Sequence, residues 1–203
     1  MARWDPGARD RLRRAALDLY RERGFDGVTA SQVAERAGLA RRTFFRYFAD
    51  TRELLFAGSE QLPPAVAAAV RAADPRLGPL DAAVAALAVV GARLAEAAEQ
   101  SGQAPARRAV IAASPELQER ERTKLAGLSA ALAGALEERG SERRTATLLA
   151  PVTVAVFATA FERWTDHAGD TGFTEVFAGA VGELRAALDA PARSGRTWRR
   201  VRG

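Results

Sequence analysis

The sequence predicts an all-α fold: a small N-terminal domain of three helices followed by a larger helical domain. Three observations carry this. Hydrophobic residues make up 48% of the 203-residue chain, alanine leads them, and β-branched runs are few, a composition that favours helix. No stretch alternates apolar and polar residues with the period of a strand. The breaks fall at Gly, Pro and cap residues in the pattern that starts and stops helices.

The elements follow in order. Helix 1 is expected over 9–23, where Leu12, Ala15, Ala16, Leu19 and Tyr20 recur at helical spacing and Gly24 supplies a C-terminal stop. Thr29 opens a short helix to residue 37, and Gln32 three residues on completes a capping-box pattern. Gly38 breaks the chain, a third helix is expected over 40–48, and Asp50 or Thr51 starts a fourth through Phe56. Beyond Pro63-Pro64 the chain becomes rich in alanine, with helices expected over 63–73, 80–100 and 106–113. Ser114-Pro115-Glu116 joins an N-cap residue, a proline at the first helical position and an acid in the first turn, so a helix should run from there to Gly140. Two more are expected over 142–168 and 174–188, with Pro191 closing the last.

The net charge of +5 is unevenly spread. Residues 1–52 carry +5, residues 53–192 carry −5, and residues 193–203 carry +5. This divides the chain into a basic N-terminal head, an acidic body and a basic tail expected to be disordered. A basic head suits a polyanion partner, although a solvated surface has the same composition. There is no cysteine, and His167 is the single histidine, so no thiolate or multi-histidine metal site is expected and no cofactor is implied. The N-terminus lacks the apolar core of a signal peptide. The longest uncharged run, 145–161, holds Pro151 and several threonines and falls short of the roughly 20 apolar residues of a membrane span. A cytoplasmic protein with no membrane partner is the expectation. No phosphate-cradling Gly loop, nucleophile motif or carboxylate–histidine cluster is present, so an enzyme is not expected.

The chemistry concentrates in residues 29–48. Two short helices meeting at a glycine have the form of a helix-turn-helix. Phe44 and Phe48, four apart, share one face and should fill the core with Leu12, Leu19, Phe25 and Leu39. At 100° per residue, Arg42 and Arg46 then point outward, flanked by Thr43 and Phe45, with Arg41 and Tyr47 nearer the edges. Arginine interleaved with threonine and aromatics suits phosphates, guanine edges and thymine methyls. A plain three-helix cap with a solvated arginine face remains an alternative from these residues alone.

Residues 11–55 resemble the DNA-binding domain of the TetR family of bacterial regulators. The likeness rests on Arg11, Ala15-Ala16, Leu19-Tyr20 and Glu22-Arg23-Gly24-Phe25, then Thr29, Val33-Ala34-Glu35-Arg36-Ala37-Gly38-Leu39, Thr43-Phe44-Phe45-Arg46-Tyr47-Phe48 and Leu54-Leu55. The resemblance implies a homodimeric transcription regulator, in the usual case a repressor, that binds near-palindromic double-stranded operator DNA and responds to a small-molecule effector in its C-terminal domain. It implies DNA contacts from Thr29, Ser31, Arg41, Arg42, Thr43, Phe45 and Tyr47; Arg46 is added as a DNA contact from the outward face of the third helix, and Thr51 from its place at the family's phosphate-binding position. The chain departs from the family pattern at Ala40, where a capping serine is usual, at Phe45, where tyrosine is common, and at Thr51, where a phosphate-binding lysine is usual; Arg52 or the start of the fourth helix is the substitute.

In the body, alanine and glycine leave room for a ligand between the middle helices. Arg107, Arg108, Thr153 and Phe157 are the expected ligand contacts, and His167 is a further polar candidate. The stretch from Arg107 to Leu117 resembles TetR-like regulators that respond to acyl-CoA-type ligands, so an apolar or acyl-CoA-like effector is implied. In that family the last two helices pair with those of a second subunit. Phe161, Trp164, Phe177, Val181 and Leu184 are therefore expected at a dimer interface, though ordinary intrachain core is an equal alternative for such residues.

Overall fold

A few large apolar side chains organise the N-terminal helices. The structure, a computed structural model, describes residues 7–166 and 171–190; His167 and the arginine-rich tail lie outside the described residues. Helix α1 (Ala8–Arg23), α2 (Ala30–Arg36) and α3 (Arg41–Tyr47) enclose Leu12, Leu19, Val33, Phe44 and Phe48. A short α4 (Glu53–Phe56) follows and adds Leu54, Leu55 and Phe56 to the same core. The expected boundary after residue 52 thus falls inside this cluster. Asp50 caps α4, its Oδ1 accepting from the Glu53 N–H at 2.8 Å.

A 3-10 turn (Ser59–Gln61) leads into the body: α5 (Leu62–Ala72), α6 (Pro79–Ser101), α7 (Ala104–Ala113), α8 (Pro115–Glu138), α9 (Arg143–Asp166) and α10 (Phe173–Asp189). No strand occurs among the described residues. Helices α5, α6, α8, α9 and α10 share a second core centred on Leu87, Leu128, Leu132, Leu136, Phe157, Trp164 and Phe177. Proline sits at the first or second position of α5, α6, α7 and α8, where the missing N–H costs nothing. Ser114 caps α8 as its sequence implies, accepting from the Leu117 N–H. Val110 and Ile111 of α7 and Leu117 of α8 pack into the head's core, not the body's, and so tie the two together.

Helix α9 is long and apolar enough to cross a membrane by length and composition. Here its Ala146, Ala150, Val154, Phe157, Ala160 and Trp164 are buried in the bundle. Gly91 of α6 shows how tightly this core closes. A Cβ there would lie 2.1 Å from Phe173 Cε1 and 2.8 Å from Phe157 Cε2. The rings of Phe157, Phe161, Trp164, Phe173 and Phe177 form one aromatic cluster, with Phe173 and Phe177 stacked at 5.8 Å.

Candidate nucleic-acid interface

The turn between α2 and α3 is fixed at both ends. Thr29 Oγ1 accepts from the Gln32 N–H at 3.3 Å, and Gln32 Oε1 accepts from the Thr29 N–H at 2.8 Å, closing the capping box. The Thr29 hydroxyl also donates to Gln32 Oε1 at 3.0 Å. At the other end Gly38 takes φ +67°, the left-handed region where a Cβ is costly. Its N–H bonds Glu35 O and that of Leu39 bonds Ala34 O, a Schellman ending that turns the chain sharply into α3. Helix α3 starts without a side-chain cap at Ala40; the Ala40 carbonyl instead accepts from the Thr43 N–H at 2.8 Å.

Phe44 and Phe48 are fully buried, their rings 5.9 Å apart. That rotation leaves Arg41, Arg42, Phe45 and Arg46 exposed on the opposite face, with Thr43 and Tyr47 half-buried at its edges. Phe45 stands 48% exposed, one of few large apolar side chains in solvent. The arginines are not equivalent. Arg41 lies over the Phe45 ring at 5.4 Å, and Arg46 lies over Tyr47 at 4.9 Å and hydrogen-bonds its hydroxyl. Arg42 makes no hydrogen bond or ion pair among the described residues. Ser31 is exposed on α2. Thr51 is half-buried, and its carbonyl accepts a 2.7 Å bond from the Tyr20 hydroxyl, whose ionisation burial pushes upward. Arg52 is engaged by Asp50 at 3.2 Å and by Glu116 at 2.6 Å. These half-exposed pairs link the start of α4 to α8.

The expected ligand residues each have another partner. Arg107 Nε donates to Leu55 O at 2.6 Å and its Nη2 to Glu121 at 3.2 Å; Arg108 pairs with Asp166. The Thr153 hydroxyl donates within its own helix to Leu149 O and Ala150 O, and Phe157 is locked in the aromatic cluster. Of the five residues expected at a dimer interface, Trp164, Phe177 and Val181 are buried within the chain itself. Within the single chain these three side chains serve the bundle core. Phe161 and Leu184 are half-buried.

The sequence also gave no sign of the joint between head and body. The Phe56 ring lies under two guanidiniums, Arg107 at 5.3 Å and Arg120 at 5.1 Å. Arg13 of α1 holds the carbonyls of Leu54 and Ala57 at 3.4 and 2.7 Å. Burial pushes the Arg13 guanidinium's pKa down, and the nearby charge of Arg9 adds to that.

These features define a class: a basic helix-turn-helix head on an all-helical body. Residues 12–57 match the family model described as bacterial regulatory proteins, tetR family. The transcriptional repressor LfrR of Mycolicibacterium smegmatis is 39% identical over 82 residues, which is 39% of this chain and 43% of that protein. The transcriptional regulator TcmR of Streptomyces glaucescens is 35% identical over 74 residues, or 36% of this chain and 33% of that one. The matches thus span less than half the length of either curated relative. Among solved structures, Thermus thermophilus FadR in complex with lauroyl-CoA aligns over 92% of this chain and 100% of its own, with TM-score 0.53 and 22% identity. The SmeT–triclosan complex aligns over 94% and 98%, with TM-score 0.60 and 14% identity. Over residues 12–57 the chain is similar to the tetR family of bacterial regulatory proteins, and its fold as a whole is similar to that of solved regulators.

Proposed function

We propose that the chain is a transcription regulator acting as a repressor, which binds a near-palindromic operator as a homodimer and answers to a small-molecule effector in its helical body. One observation carries the DNA-binding reading. Phe44 and Phe48 are sealed in the core, while Arg41, Arg42, Phe45 and Arg46 stand together in solvent. An exposed aromatic among arginines is costly in water and useful against base methyls and phosphates. The proposed DNA contacts are Ser31, Arg41, Arg42, Thr43, Phe45, Arg46 and Tyr47, with Thr29 and Thr51 at the flanks. In this division of labour residues 1–52 read DNA, and residues 53–192 bind ligand and dimerise in the cytoplasm, where the operator lies.

The dimer reading rests on α9 and α10. Leu148, Val152, Ala155 and Thr159 recur at helical spacing and are exposed, Leu148 by 66%. Leu188 of α10 is 74% exposed, and Gly179, Gly182 and Ala186 leave the α10 surface low enough for a partner helix to approach. An apolar groove lined by Val84, Thr153, Val156, Leu184 and Leu188 adjoins this face. With two heads about 34 Å apart, each recognition helix enters a successive major groove. An effector that prefers another head spacing weakens binding by its difference in affinity for the two states.

The effector reading draws on the fold's solved relatives, FadR with lauroyl-CoA and SmeT with triclosan, both ligands with large apolar parts. An apolar or acyl-CoA-like effector is the corresponding expectation here, contacting Arg108, Thr153 and Phe157 once the aromatic cluster opens. Selection of duplexes from a random pool by the full chain tests the central claim. A two-fold symmetric sequence with half-sites one helical turn apart is expected. Retention of unrelated duplexes with no enriched sequence would sink it.

A further inference from the structure

Arg107 is one side chain with two obligations. From α7 its Nε holds the carbonyl of Leu55 in α4, and its Nη2 holds Glu121 Oε2 in α8. Its guanidinium also lies over Phe56, the last residue of α4. Glu121 is in turn held by Lys124, the single lysine among 30 basic residues. Glu121 and Lys124 are mostly covered, with side chains 26% and 17% exposed. The other ionic link across the joint, Arg52–Glu116, is about half exposed on both sides, and such pairs contribute little. Ion pairs in less solvent are screened less, and a guanidinium's fixed fork ties its two bonds into one geometry. The Arg107 bridge is therefore the stronger polar connection between α8 and α4.

We infer that Arg107 is the positioning residue through which the body sets the placement of the DNA-reading head. It orients toward Leu55 and Phe56 only while Glu121 fixes its other end. A shift of α8 that carries Glu121 away leaves the guanidinium free to turn, and α4 loses the contact that aligns it. Because α4 shares a core with Phe44 and Phe48 of the reading helix, the loss reaches the interface without touching DNA. This rests on the operator-binding reading above.

The test is a double-mutant cycle on the full chain with a duplex selected from the random pool and an unrelated duplex of equal length. Glu121→Gln and Arg107→Gln should each weaken binding to the selected duplex by roughly threefold to tenfold, leaving the unrelated duplex unchanged. The double variant should lose no more than the weaker single, because both break one chain of contacts. Arg107→Lys should fail to rescue, since an ammonium keeps the charge but not the fork. Additive losses, equal losses on both duplexes, or full rescue by lysine would each overturn the inference. If the unsubstituted protein selects no duplex, the operator-binding reading itself has failed. Glu121→Gln retains shape and keeps the test open should Arg107→Gln not fold.

Discussion

At the residue scale, the three outward arginines of α3 divide their work by what already holds them. Arg41 and Arg46 rest on aromatic rings, which lowers the entropy of aiming them and suits them to fixed phosphates. Arg42 has no such rest, and under the proposed function it is the residue expected to read a base. Arg42→Ala should cost about 1–3 kcal/mol on the preferred operator and relax preference at one position of each half-site. Binding measured across single-base operator variants checks this, and an equal loss on every variant would reassign Arg42 to phosphate. A second prediction concerns Glu121. Burial alone would push its carboxyl up, but the charges of Lys124 and Arg107 outweigh that and hold it below the usual carboxylate range. A carboxylate whose folded pKa is depressed contributes stability above its ordinary pKa, and that contribution is lost as pH falls through the folded value. Thermal stability should therefore drop as pH goes below about 4.5, and Glu121→Gln should flatten that part of the profile. An unchanged acid limb in the variant would show that Glu121 gains nothing from its two cations.

At the element scale, what was legible in sequence is what local physics decides. The Thr29–Gln32 box and the Ser114-Pro115 start appear where the sequence puts them, because caps involve residues three apart. Helix ends moved by a residue or two: α5 begins at Leu62 and α7 at Ala104, since proline is accepted just inside a helix start. The outward face of α3 was legible from two phenylalanines four apart. The joint was not, because Arg107–Leu55 and Arg52–Glu116 connect residues 52 and 64 apart with no local pattern to announce them. Periodicity likewise marks Trp164, Phe177 and Val181 as apolar without saying whether their own chain or another covers them. Gly91 turns such a long-range fact into a third prediction. Alanine would add up to about 1 kcal/mol of helix propensity. Its Cβ, however, would meet the Phe173 and Phe157 rings well inside contact distance, and overpacking of this kind costs about 1–3 kcal/mol. The clash should win, so Gly91→Ala should lower Tm and disturb the Trp164 environment seen by fluorescence. A raised Tm would mean that the rings move aside at little cost.

At the scale of the whole molecule, the two cores and the exposed stripe of α9 are parts of one arrangement. The head shares its core with α7 and the start of α8, so apolar packing joins it to the body. The body buries one side of α9 and leaves Leu148, Val152, Ala155 and Thr159 in solvent on the other. In the proposed dimer a second copy would cover this uncharged stripe of the 24-residue helix and bring in a second head. Val152 lies centrally in the stripe and is 38% exposed, so it can be changed without opening the chain's own core. An arginine there would be buried unpaired in the dimer at a cost of about 3–5 kcal/mol, weakening association by roughly two to nearly four orders of magnitude. In the monomer the same arginine stays in water, so Tm at high dilution should hardly change. Val152→Arg should therefore sediment as a folded monomer and lose affinity for the two-half-site operator, while binding a single half-site as weakly as the parent chain does. A variant that stays dimeric at micromolar concentration would move the interface off α9 and leave that uncharged face to solvent.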